Sequence, residues 1–277
     1  MTDQNQESQT LGSRNSLWFA DDKTVEFKPW TGREELALSK FLHKNRSKLE
    51  GGKIGRHISL KLSFMCTRIA GKEFWREDDQ GNWVEVTKQV DRESHIRGMW
   101  EADVIVAYLL LRNDALEDSM SPTLPILSPH DIDRKRECDW VGDLDTIPFC
   151  GTDSIEDHSW TYKLRRPLKI RGKEYSELPM QPLKWATAES VRLETAPYEV
   201  GMRAIAGSVQ ISPMLRMDEL NRMRKPDIEC LAQGIDDHPS GLNLEIEVYD
   251  PIAEKTFESS LPWLSPGFFS VSSQSAK

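Results

Sequence analysis

The chain of 277 residues is long enough for one large domain or two modest ones, and either can bury a sizeable core. Its 45 acidic against 36 basic residues leave a net charge of −9, which counts against a protein built to neutralise many nucleic-acid phosphates. Four scattered cysteines (Cys66, Cys138, Cys150, Cys230) are too sparse for a disulfide scaffold and fit a reducing compartment. The polar N-terminus has no apolar core of a secretory signal, and the longest apolar run, Val104–Leu111, falls short of the roughly 20 residues that cross a bilayer. No membrane contact and a cytoplasmic location are therefore expected.

Residues 1–24 lack periodicity and are rich in Gln, Ser, Asn and Asp, so a flexible tail is expected there. Within it, Trp18 and Phe19 either pack back onto the body or anchor a partner. A helical domain is expected over 25–118. Thr31 followed by Glu34 has the spacing of a capping box, opening a first helix that runs to about Lys48 and is stopped by Gly51–Gly52. A second helix should span Lys53 to about Ala70, because Ile54, Ile58, Leu62, Met65 and Ile69 recur at three- and four-residue steps, with Gly71 as its left-handed C′ residue. Residues 72–90 suit a short hairpin turning at Asp79–Asn82. A third helix, about Asp91–Leu116, is apolar almost all round, as befits a helix inside a core or against a partner.

Three prolines within 119–130 make that stretch an extended linker and a domain boundary. A β-rich module should follow over 131–184: Trp160–Leu164, then Leu168–Tyr175 turning at Arg171–Gly172, then a proline-limited edge strand at Leu178–Leu183. Residues 185–272 mix helices with a hairpin. Tyr198–Val209 and Asp218–Met223 are helical, and Pro226 suits the first turn of Asp227–Ile235. Leu244–Val248 and Lys255–Glu258 form strands about a turn at Asp250–Pro251. Trp263, Phe268 and Phe269 precede a polar tail at 273–277. The pattern is α+β: an N-terminal helical half with a long buried apolar helix, a small antiparallel β module, and a short C-terminal helical and hairpin segment.

No catalytic constellation is legible. Gly51, Gly52 and Gly55 match neither a phosphate-binding loop nor a dinucleotide fingerprint, and neither G-x-S-x-G nor H-E-x-x-H occurs. His130, Cys138, Cys150 and His158 have the ligand count of a tetrahedral zinc site, but seven, eleven and seven residues separate them, unlike zinc knuckles. No metal and no cofactor is therefore expected. A site assembled around those four residues is the enzyme alternative. Arg165, Arg166, Lys169, Arg171 and Lys173 offer a nucleic-acid alternative, although alternate strand residues normally point to water. Nine tryptophans either pin loops to the core or form a docking surface. On the docking reading, Trp18, Phe19, Trp30, Trp263, Phe268 and Phe269 are the interface candidates.

The order of segments FKPWTGREEL, DVIVAYLLLR, CDWVGDLDTIPF, WTYKLRRPLKIRGKEY, MDELNRMRKPDIECLAQGID and LPWLSPGFFSVSS resembles the baseplate hub assembly proteins of contractile phage tails and related injection systems, the T4-type baseplate family. The likeness spans roughly residues 25–272 and is one of pattern rather than of a sharp motif. It implies a non-enzymatic role in building a phage-like tail or baseplate, binding hub, tail tube or other tail proteins, with self-association into a homo-oligomer left open. The location implied is the cytoplasm of the bacterial host, and incorporation into the virion tail is left open. The resemblance also implies a cysteine-rich ribbon in the middle and near the end. Here only Cys138 stands at the first expected place, Trp140 falls where a second ligand would, and Leu244–Phe257 holds no cysteine, so no metal site carries over.

Overall fold

A computed structural model describes residues 9–49, 54–116, 123–131, 136–191, 197–211 and 217–261. Helices and antiparallel strands in small sheets alternate along the chain, an α+β architecture. The C-terminal aromatics Trp263, Phe268 and Phe269 lie outside the described residues.

Within the segment expected to be a flexible tail, residues 9–24 are folded onto the body. A single turn of helix, Leu11–Arg14, is capped reciprocally by Thr10 and Ser13. Leu11, Leu17 and Trp18 are fully buried and Phe19 is nearly so. Low complexity misled here because a few large apolar side chains supply enough buried area to hold a polar segment down.

Val25–Phe27 pairs antiparallel with Cys66–Ile69, which pairs in turn with Lys72–Glu73. The expected second helix therefore ends early, at Met65, after running from Ile54. Its apolar stripe passes without a break into a strand whose Ile69 is still buried. Gly71 does adopt positive φ (75°), but beside Ala70 (46°) in a hairpin turn rather than at a helix end. Positive φ at both central residues is what a type I′ turn requires. The first helix runs Gly32–Lys44, followed by a short turn of helix at Arg46–Leu49. Thr31 stands at the N-cap, yet its hydroxyl donates to the Glu34 carboxylate instead of accepting from the backbone.

The third helix is two. Gln89–Gly98 and Glu101–Leu116 are broken at Met99–Trp100. The break has a tertiary cause. The Met99 carbonyl accepts from Trp185 N–H (2.8 Å), Glu101 N–H donates to the Leu183 carbonyl (2.9 Å), and Trp100 bridges to Lys184. From Ala102 to Arg112 every residue of the second helix is buried. It is enclosed by the chain's own elements, so it presents no flat apolar surface to a partner.

The proline-rich stretch is no linker where it is described. Thr123–Leu127 is a strand paired with Glu137–Val141, and Pro125 sits opposite Asp139. Proline is tolerated because each strand of a two-stranded ribbon has a free edge. Nor does this stretch mark a boundary between cores. Ile126 and Cys138 share one core with Leu11, Leu62 and Val106, and with Val248 and Phe257 from the C-terminal hairpin Glu245–Asp250/Lys255–Ser260. Trp185, on the helix Trp185–Val191, is wholly buried in it and donates its indole N–H to Ser59 Oγ at 2.8 Å. The second core is an excursion from that body. Leu164, Leu168, Ile170, Leu178 and Met180 of the hairpin Trp160–Ile170/Lys173–Met180 pack on Met202 and Ile205 of helix Pro197–Ser208 and on Ile228 and Leu231 of helix Lys225–Asp237. The three strand fragments expected between 160 and 183 are thus one long hairpin, turning as expected at Arg171–Gly172.

Candidate functional site

Of the aromatic residues expected to dock, Trp18 and Phe19 pack into the chain's own core. The Trp18 indole stacks on Phe149 (centroids 4.0 Å apart, planes 7° apart), and Phe19 packs edge-on to Trp100 and His158. Asp103, buried in the first turn of the helix Glu101–Leu116, accepts from the backbone N–H groups of Trp18 (2.6 Å) and Phe19 (2.8 Å). Burial pushes its carboxyl up to about 6, against the lowering effect of those two hydrogen bonds and of the Lys184 and Lys23 charges. This pair is a clasp on the chain's own N-terminal segment and offers no docking surface. Trp30 is half-buried against the main core.

The four zinc candidates are not brought together as a cluster. Cys138 is buried on the ribbon strand opposite Ile126, and His130 lies exposed at the ribbon's turn with its ring edge-on to Phe257. Cys150 pairs with Gly241 in a separate two-stranded sheet. His158 is buried, and a ring nitrogen donates to the Thr152 carbonyl (2.8 Å). The ribbon's turn is instead joined to the C-terminal hairpin by Asp250. This wholly buried carboxylate accepts from Ser128 Oγ and Arg136 at 2.5 Å each, and from the N–H groups of Ile252 and Ala253. Burial alone would raise its pKa, but these donors hold it well below the usual carboxylate range.

Two further features stand out, one that no sequence pattern marked and one, the basic run Arg165 to Lys173, that the sequence offered as a nucleic-acid alternative. The first is a cavity of about 200 Å³ between helix Gly32–Lys44 and the hairpin arm Trp75–Glu77/Trp83–Glu85. Lys28 forms its floor. The strand before Lys28 is pinned to Cys66–Ile69, and its own N–H donates to the Met65 carbonyl, which carries the side chain inward until only 3% is exposed. Its Nζ lies 3.3 Å from the centre of the Trp75 ring and 4.2 Å from that of Phe64. Burial, reinforced by the Arg92 charge, brings its pKa down to about 7, against Glu34, Cys66 and Glu85, which raise it. The electron-rich ring faces still attract the protonated form. Glu34, Trp83, Ala37 and Arg33 complete the wall and rim, and Arg33 bridges helix and arm by donating to Asn82 Oδ1 at 3.1 Å.

Other buried charges nearby are matched. Glu93 takes Lys48 and Arg56, Glu189 takes Arg97, and Arg92 takes Glu85. Lys28, by contrast, has no ion pair and no side-chain hydrogen bond among the described residues. Nothing in FKPW distinguishes this lysine locally, because Phe64 and Trp75 reach it only through the fold.

The second feature is the outer face of the Trp160–Met180 hairpin. The segment carries six basic and two acidic side chains, a net of +4 in a chain of −9. Its register holds a large bulge. Lys163 faces Glu177 and Leu168 faces Tyr175, so Ser176 alone spans the stretch 164–167 on the other strand. The surplus residues Arg165, Arg166 and Pro167 are pushed out and exposed. Asp227, buried in the first turn of helix Lys225–Asp237, holds the bulge by accepting from Arg165 N–H (3.2 Å) and from the Tyr162 hydroxyl (3.0 Å). Arg171 is paired with Glu219, whereas Lys163, Arg165, Arg166 and Lys169 have no ion-pair partner among the described residues.

Comparison of the chain with protein-family models, with curated proteins and with solved structures found no match. Among the described residues no helix is long and apolar enough to cross a membrane, and no group of three or more His, Cys, Asp or Glu is placed to hold a metal ion.

Proposed function

We propose that the chain is a non-enzymatic assembly factor or minor structural component of a phage-like contractile tail, docking onto an acidic surface of a hub or tube subunit through the Trp160–Met180 hairpin. The tail setting is supported by the resemblance of the segment order to that of the baseplate hub assembly proteins. The docking surface is supported by one observation above all, the Arg165–Arg166–Pro167 bulge that Asp227 holds outward. An anchored cationic protrusion is attracted to acidic partner surfaces, which raises association rates and selects among partners. The buried Trp18, Phe19 and apolar helix are excluded from the contact by their place in the core.

Co-expression with tail subunits followed by gel filtration tests this reading. Co-elution with a hub or tube subunit is expected, and the double substitution Arg165→Glu, Arg166→Glu should abolish it with little change in thermal stability, since both side chains are exposed. Failure to co-elute with any tail subunit overturns the tail assignment. Co-elution indifferent to the double substitution overturns the hairpin as the surface. A DNA affinity falling steeply with salt, and lost in the same variant, would transfer the hairpin to nucleic acid instead.

A further inference from the structure

The Lys28 cavity is a built site without an occupant of its own chain. A buried cation lacking a hydrogen bond or counter-ion is unfavourable unless something supplies one. The acids nearest it, Glu34 in the cavity wall and Glu85 on the arm, act on Lys28 through their charge but form no ion pair with it among the described residues. The Glu34 carboxylate on helix Gly32–Lys44 takes the Thr31 hydroxyl, and Glu85 on the arm takes Arg92 from helix Gln89–Gly98. Cys66, on the strand beside it, is fully buried, and burial pushes its thiol pKa up, which keeps it neutral. Arg33 adds a second cation at the rim, its one hydrogen bond among the described residues going to Asn82.

We propose that this cavity binds the carboxylate of a small aromatic acid, with Lys28 as counter-ion at the floor and Phe64, Trp75 and Trp83 as walls. The size is suitable: an apolar cavity of about 150 Å³ holds a benzene molecule, so about 200 Å³ admits one ring and its carboxyl group. Drug-sized ligands need larger pockets, of roughly 300–1,000 Å³. Flat aromatic walls favour a ring by offset or edge contacts. The same chemistry comes from two sources, a free aryl acid or the terminal residue of a partner chain ending in an aromatic side chain and a free carboxylate. The inference is independent of the docking hairpin, which lies on the other core.

The test uses the full chain and follows tryptophan indole N–H signals by heteronuclear NMR during titration with phenylacetate. Saturable shifts of the Trp75 and Trp83 signals are expected, with those of Trp18 and Trp185 unmoved. Methyl phenylacetate, nearly the same shape without charge, should bind about tenfold more weakly or worse, and Lys28→Met should lower the affinity for the acid by a similar factor. Because the anion pairs with the protonated amine, affinity for the acid should also fall from about pH 6 to about pH 9. Unmoved Trp18 and Trp185 signals in Lys28→Met report an intact fold, and Arg33→Gln, on the exposed rim, should weaken binding several-fold without touching the floor. A phenylalanine-terminated tetrapeptide binding more tightly than phenylacetate, and failing as its amide, assigns the pocket to a partner's C-terminus. The reverse order assigns it to a free acid. Equal binding of acid and ester, an unchanged affinity in Lys28→Met, or no shift at millimolar acid overturns the proposal.

Discussion

Asp103→Asn isolates the clasp that holds the N-terminal segment. In the folded chain Asp103 keeps its proton up to about pH 6, whereas an unfolded aspartate releases it near the ordinary value of 3.8. Between those values the folded state binds more protons than the unfolded state, so this group makes stability fall as pH rises, and above about pH 6 the loss is complete. At roughly 1.4 kcal/mol per tenfold change in acidity, that loss amounts to about 3 kcal/mol. Asparagine retains an oxygen to accept from the Trp18 and Phe19 N–H groups but carries no charge to bury. Its amide nitrogen replaces Asp103 Oδ2, which has no hydrogen-bond partner, and an unsatisfied donor there costs about 1–3 kcal/mol at every pH. The stability difference between wild type and variant should therefore move by about 2.4 kcal/mol in favour of Asp103→Asn between about pH 4 and pH 7. Urea unfolding followed by tryptophan fluorescence at both pH values measures it, and contributions from other titrating groups cancel in the difference. A wild-type minus variant difference that stays constant across that range would refute the argument.

Gly241 has φ of +87°, and a Cβ built there would sit 2.6 Å from the Ala102 Cβ on the buried helix, whereas Gly172 has φ of +86° with nothing within 4 Å. Gly172→Ala should therefore lose only the left-handed cost of about 1–2 kcal/mol. Gly241→Ala should lose that and about 1–3 kcal/mol more from overpacking, both read from denaturant midpoints. Asp250→Ala removes the acceptor shared by Ser128, Arg136 and the hairpin turn. Hydrogen exchange should then quicken in Thr123–Leu127 and Glu245–Asp250 while Lys225–Asp237 on the other core is unchanged; uniform quickening would mean the lock is not local.

Much of the architecture was legible in the chain itself. The alternation in Leu244–Val248, the turn at Arg171–Gly172, the excursion around Asp79–Asn82 and the helix opened by Pro226 all appear where local pattern places them. These are short-range preferences: side-chain periodicity, a residue that accepts positive φ, a missing N–H in a first turn. The α+β class follows from them. Other features depend on groups remote in sequence. Trp18 and Phe19 are held by an aspartate 85 and 84 residues away, and the helix break at Met99–Trp100 is made by backbone bonds from 183–185. Pro125 and its neighbours in 123–127 read as a linker until Glu137–Val141 pairs with them. Lys28 is an ordinary lysine in the chain and becomes a recessed cation only when Phe64 and Trp75 close around it. What the sequence determined alone was thus the type and order of most elements, because those follow from each residue and its near neighbours. Which side chains are hidden, where helices are interrupted and where charge meets a cavity were decided by the tertiary structure, because burial and strand pairing are set by partners that local pattern does not name.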